Sequence, residues 1–175
     1  MLGRRRLRLS DFGEVGDEDA LVVRMPGPGS FTGLRIGLAT AKGMCLALNL
    51  PLAMVSSLEA LGARGLPLGA GRPVLAVCEG FRGQVFARLL VPAAASTPAV
   101  EEALQRTPQL TTDAVYAREE LGAAVAGLDF VLVGLPGPWG EKRCDDELSP
   151  HPLDVARLGA ARLSAGEAAT LRSVV

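Results

Sequence analysis

The segment GPGSFTGLRIGLATAKG, residues 27–43, constrains the fold of this chain more than any other part of the sequence. It follows the apolar run ALVVRM at 20–25, and a helical pattern begins where its glycine-rich turn ends. A strand, a tight glycine turn and a helix N-terminus in this order can hold an anion, because free backbone N–H groups and the helix dipole converge there. The segment therefore allows two interpretations, a phosphate cradle or a turn that only starts a helix.

Neither common nucleotide-binding motif fits this segment. The P-loop pattern needs a lysine directly after its last glycine, whereas Leu34 and Arg35 follow Gly33 here. The dinucleotide pattern G-x-G-x-x-G meets Thr32 where its third glycine should be, and no second strand-helix-strand unit with an acidic ribose partner is evident. A plain strand-turn-helix therefore remains the alternative to an anion site.

Residues 32–48 predict a helix with two apolar faces and a narrow polar side. The first face follows a spacing of four and three residues and consists of Leu34, Leu38, Ala41, Cys45 and Leu48. The second face has smaller residues and consists of Gly33, Gly37, Thr40 and Met44, while the polar side holds Arg35, Lys42 and Asn49, interrupted by Ala39 and Leu46. A glycine inside a helix costs up to about 1 kcal/mol relative to alanine, so we infer that another backbone packs closely on the second face. The residues leave open whether that backbone belongs to this chain or to a partner.

Strands and helices alternate along the rest of the chain, which indicates the α/β class. The patterns predict a strand at 52–57, a helix capped by Ser56 and Glu59, a hairpin turning at Arg82 and Gly83, a Pro-, Ala- and Thr-rich connector, a helix at 117–126, a strand at 129–134 and a last helix at 153–165. The Gly- and Pro-rich stretch at 62–73 indicates a boundary. We therefore predict two domains, at residues 1–64 and 65–175.

Composition excludes several classes of function. The net charge of -1 gives no overall attraction to nucleic acid or to an anionic membrane, and no apolar run approaches the ~20 residues of a membrane span. Three widely spaced cysteines favour reduced thiols and a cytoplasmic location over a disulfide framework or a zinc cluster. His151 is the only histidine, which excludes a two-histidine metal site.

Residues 27–61, GPGSFTGLRIGLATAKGMCLALNLPLAMVSSLEAL, resemble the hallmark region of the TsaB proteins, the bacterial partners of TsaD. These proteins belong to the glycoprotease-like, peptidase M22-like branch of the actin-like ATPase superfamily. The resemblance implies an α/β, actin-like (ribonuclease H-like) fold. The resemblance is weaker after residue 61. In the family hairpin, Glu79, Phe81 and Gln84 replace the usual Asp, Arg and Glu. The first strands of the family have no counterpart before residue 20, so we expect an incomplete first domain, from a mis-assigned start or a truncation.

The resemblance implies a non-catalytic role in tRNA modification. TsaB pairs with TsaD, which transfers a threonylcarbamoyl group to the adenosine next to the anticodon of tRNAs that read codons starting with A. The implied partners are TsaD in a heterodimer, TsaE in a larger complex, a second copy of the chain through the same helix, and tRNA only indirectly. No intrinsic cofactor is implied, because ATP and a metal ion are expected on TsaD.

The resemblance also places a subunit interface on the helix that follows SFTG. The interface residues that it implies are Ser30, Phe31, Thr32, Gly33, Arg35, Gly37, Lys42 and Met44. No catalytic, cofactor-binding or metal-binding residue is predicted. Two alternatives stay open: a small ATP-binding enzyme or M22-type peptidase of the same superfamily, and a truncated copy without function.

Overall fold

A computed structural model describes residues 21–25, 31–140 and 150–168. Within these ranges the strands and helices are, in chain order, β1 (Leu21–Met25), α1 (Phe31–Leu48), β2 (Leu52–Ser56), α2 (Ser57–Gly69), β3 (Val74–Glu79), β4 (Val85–Leu90), α3 (Pro98–Arg106), β5 (Ala114–Tyr116), α4 (Arg118–Ala124), β6 (Val131–Gly134) and α5 (Pro152–Ser164). Short 3-10 helices lie at Ala93–Ala95 and Pro108–Thr111. Strands and helices alternate as predicted, and the fold is of the α/β class.

The chain divides into two compact units. The first contains residues up to 55 together with those from 152 onward, and the second contains residues 56–151. The division that the sequence predicts, at residue 64, differs from this one in two places. It assigns the start of α2 to the first domain and α5 to the second, whereas the packing groups α2 with the second unit and α5 with the first.

The first unit contains a two-stranded sheet, in which β1 lies beside β2, and the helices α1 and α5. Both helices contact β1. Among the described residues, one core cluster of this unit contains Ala41, Cys45 and Leu52. The guanidinium of Arg162 on α5 donates a hydrogen bond to the backbone carbonyl of Met54 on β2. The last described helix is therefore joined to the sheet of the first unit.

The second unit contains a mixed four-stranded sheet in the order β5-β4-β3-β6. β3 is antiparallel to β4 and parallel to β6, and β4 is antiparallel to β5. The predicted hairpin is confirmed, and its turn contains Arg82 with φ 55° and Gly83 with φ 80°. Because side chains alternate along β3, Val74 joins a core under α2 and Leu75 joins the core on the other face.

The N-terminus of α2 has the predicted cap. The hydroxyl of Ser56 accepts hydrogen bonds from the backbone N–H groups of Leu58 and Glu59, at 3.1 and 3.3 Å. This satisfies backbone donors that the first turn of a helix leaves unpaired. The carboxylate of Glu59 lies 3.8 Å from the guanidinium of Arg88 on β4. The capping pair therefore also ties α2 to the sheet.

The Gly- and Pro-rich stretch at 62–73 is mostly helical, because α2 extends to Gly69 with Pro67 inside it. Glycines at 62, 65 and 69 are buried, and a Cβ built on Gly65 would lie 2.6 Å from Cγ1 of Val74. These glycines let the helix approach the sheet closely. The Pro-, Ala- and Thr-rich connector that the sequence predicts after β4 contains α3 and β5.

Candidate partner interface

Helix α1 begins at Phe31 and ends at Leu48, which confirms the predicted helix to within one residue at its start. Asn49 follows with φ 53°, in the left-handed region that often ends helices. The backbone N–H of Leu50 then donates to the carbonyl of Cys45 at 3.0 Å, as in a Schellman motif. The end of the helix is therefore set by local hydrogen bonding, and its length positions the exposed residues described below.

One side of α1 packs into the core of the first unit. Ala41 is 5% exposed and Cys45 is 1% exposed, and both pack with Leu52. Burial raises the pKa of the Cys45 thiol, so this sulfur stays protonated and is a packing group. Leu48, which the sequence assigns to the same apolar face as Ala41 and Cys45, is 57% exposed.

The opposite side of α1 is exposed and almost entirely apolar. Ile36 is 63% exposed and Leu46 is 69% exposed, and Met44 and Leu48 are also largely exposed. We call this surface the exposed α1 face, and it consists of Gly33, Ile36, Gly37, Ala39, Thr40, Gly43, Met44, Leu46, Ala47 and Leu48. At about 100° per residue these positions cover roughly 200° of the helix circumference. An exposed apolar surface of this kind is typical of a protein interaction site.

The glycines on this face leave room for another backbone. A Cβ built on Gly37 or Gly43 would have no atom of the described residues within 4 Å. Small residues at these positions allow a second helix to approach more closely than large side chains would. The exposed α1 face therefore combines large apolar side chains with glycines around which the described residues leave open space.

The structure places most of the eight predicted interface residues on or beside this face. Ser30 lies outside the described residues, and Phe31 and Thr32 are described only as the first residues of α1. The exposed members are Gly33, Arg35, Gly37 and Met44, and Lys42 is half-buried. Whether they contact a partner stays a prediction.

Sequence reasoning did not assign Ile36 and Leu46, two large apolar residues, to an apolar face. Ile36 directly follows Arg35, and Leu46 interrupts the predicted polar side. For Leu46 the available signal was a large apolar residue on the polar side of a helix, because a helix that faces water there has little reason to carry one.

Polar contacts in the second unit stabilise its fold. Arg118 donates to both carboxylate oxygens of Glu79, at 2.9 and 3.0 Å, and to the carbonyl of Gly83 at 3.2 Å. Its guanidinium also lies 5.7 Å from the ring centroid of Trp139. Glu79, which replaces the usual aspartate of the family hairpin, is thus half of an ion pair that joins α4 to the hairpin.

Metal-ligand and membrane features were also sought in the described part of the chain. Within residues 21–25, 31–140 and 150–168, no group of three or more His, Cys, Asp or Glu residues could hold a metal ion. No helix in those same ranges has the length and apolar character needed to cross a bilayer.

Comparison with known proteins gives matches in sequence and in structure. The family model described as "TsaD: tRNA N6-adenosine threonylcarbamoyltransferase" matches residues 17–138. The fold is similar to that of YeaZ from Pseudomonas aeruginosa, with a TM-score of 0.60 at 22% identity over 84% of this chain and 67% of that one. Together these matches confirm the predicted actin-like α/β fold.

Relatives in several bacteria match parts of the chain. The tRNA threonylcarbamoyladenosine biosynthesis protein TsaB of Bacillus subtilis is 38% identical over 82 residues, which are 46% of this chain and 34% of that protein. An uncharacterized protein of Mycobacterium tuberculosis is 36% identical over 127 residues, or 72% of this chain and 56% of that protein. The chain thus spans about a third and about half of the length of these two relatives. It belongs to the family described by the TsaD model, and its predicted resemblance to the TsaB proteins is confirmed.

Proposed function

We propose that this chain is a non-catalytic partner of TsaD in forming N6-threonylcarbamoyladenosine next to the anticodon of tRNAs that read codons starting with A. The relatives named as threonylcarbamoyladenosine biosynthesis proteins support the pathway. The observation that carries the partner role is the exposed α1 face, which is large, apolar and free of acidic residues.

The exposed α1 face suits a second protein better than a small polar ligand. Ile36, Met44 and Leu46 are 63%, 47% and 69% exposed, and covering them would contribute about 3–5 kcal/mol at the usual value for burying such side chains. Thr40 carries the only polar side chain of the face, and its hydroxyl already donates to the carbonyl of Ile36 at 2.9 Å. The face therefore offers apolar area and close approach, which are what helix packing requires.

The chemistry of the reaction is assigned to the partner in this proposal. The given sequence has one histidine, which supports placing a histidine-pair metal site on TsaD. We place ATP and a metal ion on TsaD, TsaE in a larger complex, and tRNA in indirect contact with this chain. The chain's own contribution is to bind TsaD through α1 in the cytoplasm.

The substitution Gly37→Leu tests the role of the exposed α1 face. No described atom would lie within 4 Å of the new Cβ, and leucine favours a helix over glycine by up to about 1 kcal/mol. The chain alone should therefore keep or slightly gain thermal stability. A leucine at this position would separate two closely packed helices, so we expect titration calorimetry to show loss of binding to the TsaD of the same organism.

The control is Gln105→Leu, which adds a leucine to an exposed position of α3 in the second unit without changing the net charge. This variant should bind TsaD as the unaltered chain does. Wild-type affinity of the Gly37→Leu variant would exclude α1 as the contact surface. Failure of the unaltered chain to bind TsaD would refute the partner role itself.

A further inference from the structure

The exposed α1 face contains one sulfur-bearing side chain, that of Met44. Met44 is 47% exposed, whereas the neighbouring Cys45 is 1% exposed and both Met54 and Cys78 are half-buried. Successive residues of a helix are about 100° apart, so Met44 and Cys45 point to different sides of α1. The side chain of Met44 is therefore more accessible to an oxidant in solution than the side chains of these other three residues.

A reaction with peroxide would change the chemistry of this side chain. A lone pair of the methionine sulfur attacks one oxygen of hydrogen peroxide, the O–O bond breaks, and methionine sulfoxide and water are formed. The sulfur loses two electrons and the peroxide gains them. A flexible apolar side chain thereby acquires a polar oxygen that accepts hydrogen bonds.

In the described helix α1, the neighbours of Met44 offer no donor for such an oxygen. The residues three and four positions away, which adjoin Met44 on the helix surface, are Thr40, Ala41, Ala47 and Leu48. Thr40 has the one polar side chain among them, and its single O–H already donates to the carbonyl of Ile36 at 2.9 Å. A sulfoxide at position 44 would therefore be hydrated by water instead of paired with a neighbouring side chain.

We propose that Met44 makes binding through the exposed α1 face sensitive to peroxide. Oxidation of the free chain converts Met44 to the sulfoxide and weakens binding to TsaD, and reduction of the sulfoxide restores it. The inference rests on the proposed function and adds a form of regulation to the same site. Its physical basis is the cost of burial, because a polar oxygen placed in an apolar contact loses its water without gaining a hydrogen bond.

The same contact would protect the sulfur from oxidation. Once TsaD covers α1, peroxide no longer reaches Met44, so the complex should resist an oxidation that the free chain undergoes. The reverse reaction needs a reductant, and methionine sulfoxide reductase converts the sulfoxide and two thiols into methionine, a disulfide and water. The oxidation state of Met44 therefore depends on whether the exposed α1 face was covered when the peroxide was present.

The first test measures affinity for TsaD before and after oxidation of this chain alone. The chain is treated with hydrogen peroxide, the peroxide is removed, and peptide mass spectrometry verifies that residue 44 carries the sulfoxide. Titration calorimetry then measures binding to the TsaD of the same organism, and we expect the dissociation constant to rise on the order of tenfold. Dithiothreitol alone, which reduces disulfides and sulfenic acids, should leave the affinity low, whereas methionine sulfoxide reductase with dithiothreitol should restore it.

Two leucine variants identify the residue that is responsible. Met44→Leu keeps an apolar side chain of similar volume but lacks the sulfur, so peroxide should leave the affinity of this variant as it was before treatment. Met54→Leu is the matched control, because Met54 lies half-buried on β2, outside the exposed α1 face. This control should lose affinity on oxidation as the unaltered chain does.

Two further measurements separate covering of the sulfur from damage to the fold. Adding TsaD before the peroxide should slow sulfoxide formation at Met44, as followed by mass spectrometry over time. The far-ultraviolet circular dichroism of the oxidised free chain should match that of the untreated chain, because Met44 is largely exposed there.

Several results would overturn the inference. Full affinity of a chain that carries the sulfoxide at Met44, or equal rates of Met44 oxidation with and without bound TsaD, would refute it while the partner role stood. An equal loss of affinity on oxidation of Met44→Leu and of the unaltered chain would assign the effect to another group, and a loss of helical signal would assign it to unfolding. Lack of TsaD binding by the untreated chain would remove the proposed function and this inference with it.

Discussion

The contact between α2 and the sheet of the second unit can be tested at Gly65. A Cβ on this glycine would lie 2.6 Å from Cγ1 of Val74 and 2.8 Å from Cγ1 of Val133. Both valines are fully buried on neighbouring strands, β3 and β6, and a β-branched side chain has few allowed χ1 rotamers. Neither methyl group can therefore move aside easily, and Gly65→Ala should force α2 away from the sheet.

Two opposing terms set the magnitude of this effect. Overpacking a well-packed core costs about 1–3 kcal/mol. Replacing glycine by alanine inside a helix raises the free energy of unfolding by about 0.5–1 kcal/mol. We therefore expect Gly65→Ala to lower the free energy of unfolding by about 1 kcal/mol. Gly69→Ala is the matched change, because a Cβ there would lie at ordinary distances of 3.7 and 3.9 Å from Val74 and Val131, and it should raise the free energy of unfolding by about 0.5 kcal/mol.

Urea unfolding of the two variants measures this difference directly. The midpoint should move in opposite directions for Gly65→Ala and Gly69→Ala, with the slope of the transition unchanged. If the higher helix propensity of alanine were the only effect, both midpoints would shift upward by similar amounts. If Gly65→Ala proved as stable as Gly69→Ala, the close approach of α2 to the sheet would not limit which residues are allowed at position 65.

Two further predictions concern buried positions of the second unit. Gly134 has φ 94°, and a Cβ there would collide with the backbone carbonyl of Val77, so Gly134→Ala should lower the free energy of unfolding by roughly 2–4 kcal/mol in the same urea assay. Burial, with a smaller contribution from Glu120, raises the pKa of Tyr116 to about 12 from its usual 10. Because the folded state holds this proton more tightly, its contribution to stability is complete below pH 10 and is lost as the pH rises towards 12. The hydroxyl has no hydrogen-bond partner among the described residues, so Tyr116→Phe should keep full stability at pH 7 and show a smaller loss in unfolding experiments above pH 10.

The sequence determined the local elements whose signals lie within a few residues. The bounds of α1, the cap at Ser56 and the turn at Arg82 and Gly83 all agree with the structure. Each depends on a helical period, on hydrogen bonds between near neighbours or on the conformational freedom of glycine, and these properties are readable from adjacent residues. The mismatch with both nucleotide motifs is likewise a property of adjacent residues.

Tertiary structure decided which faces of these elements are buried. In the sequence, the glycines of α2 cannot be distinguished from glycines of a loop. Only the short distances from Gly65 to Val74 and Val133 show that glycine permits close packing there. On α1, periodicity identified the side that contains Ala41 and Cys45, but it could not show that Leu48 is largely exposed. Burial depends on how much of the remaining chain covers a face, which is a non-local quantity. The residues of α1 therefore left open what covers its second apolar face, and the tertiary structure shows how much of the helix surface is exposed and apolar.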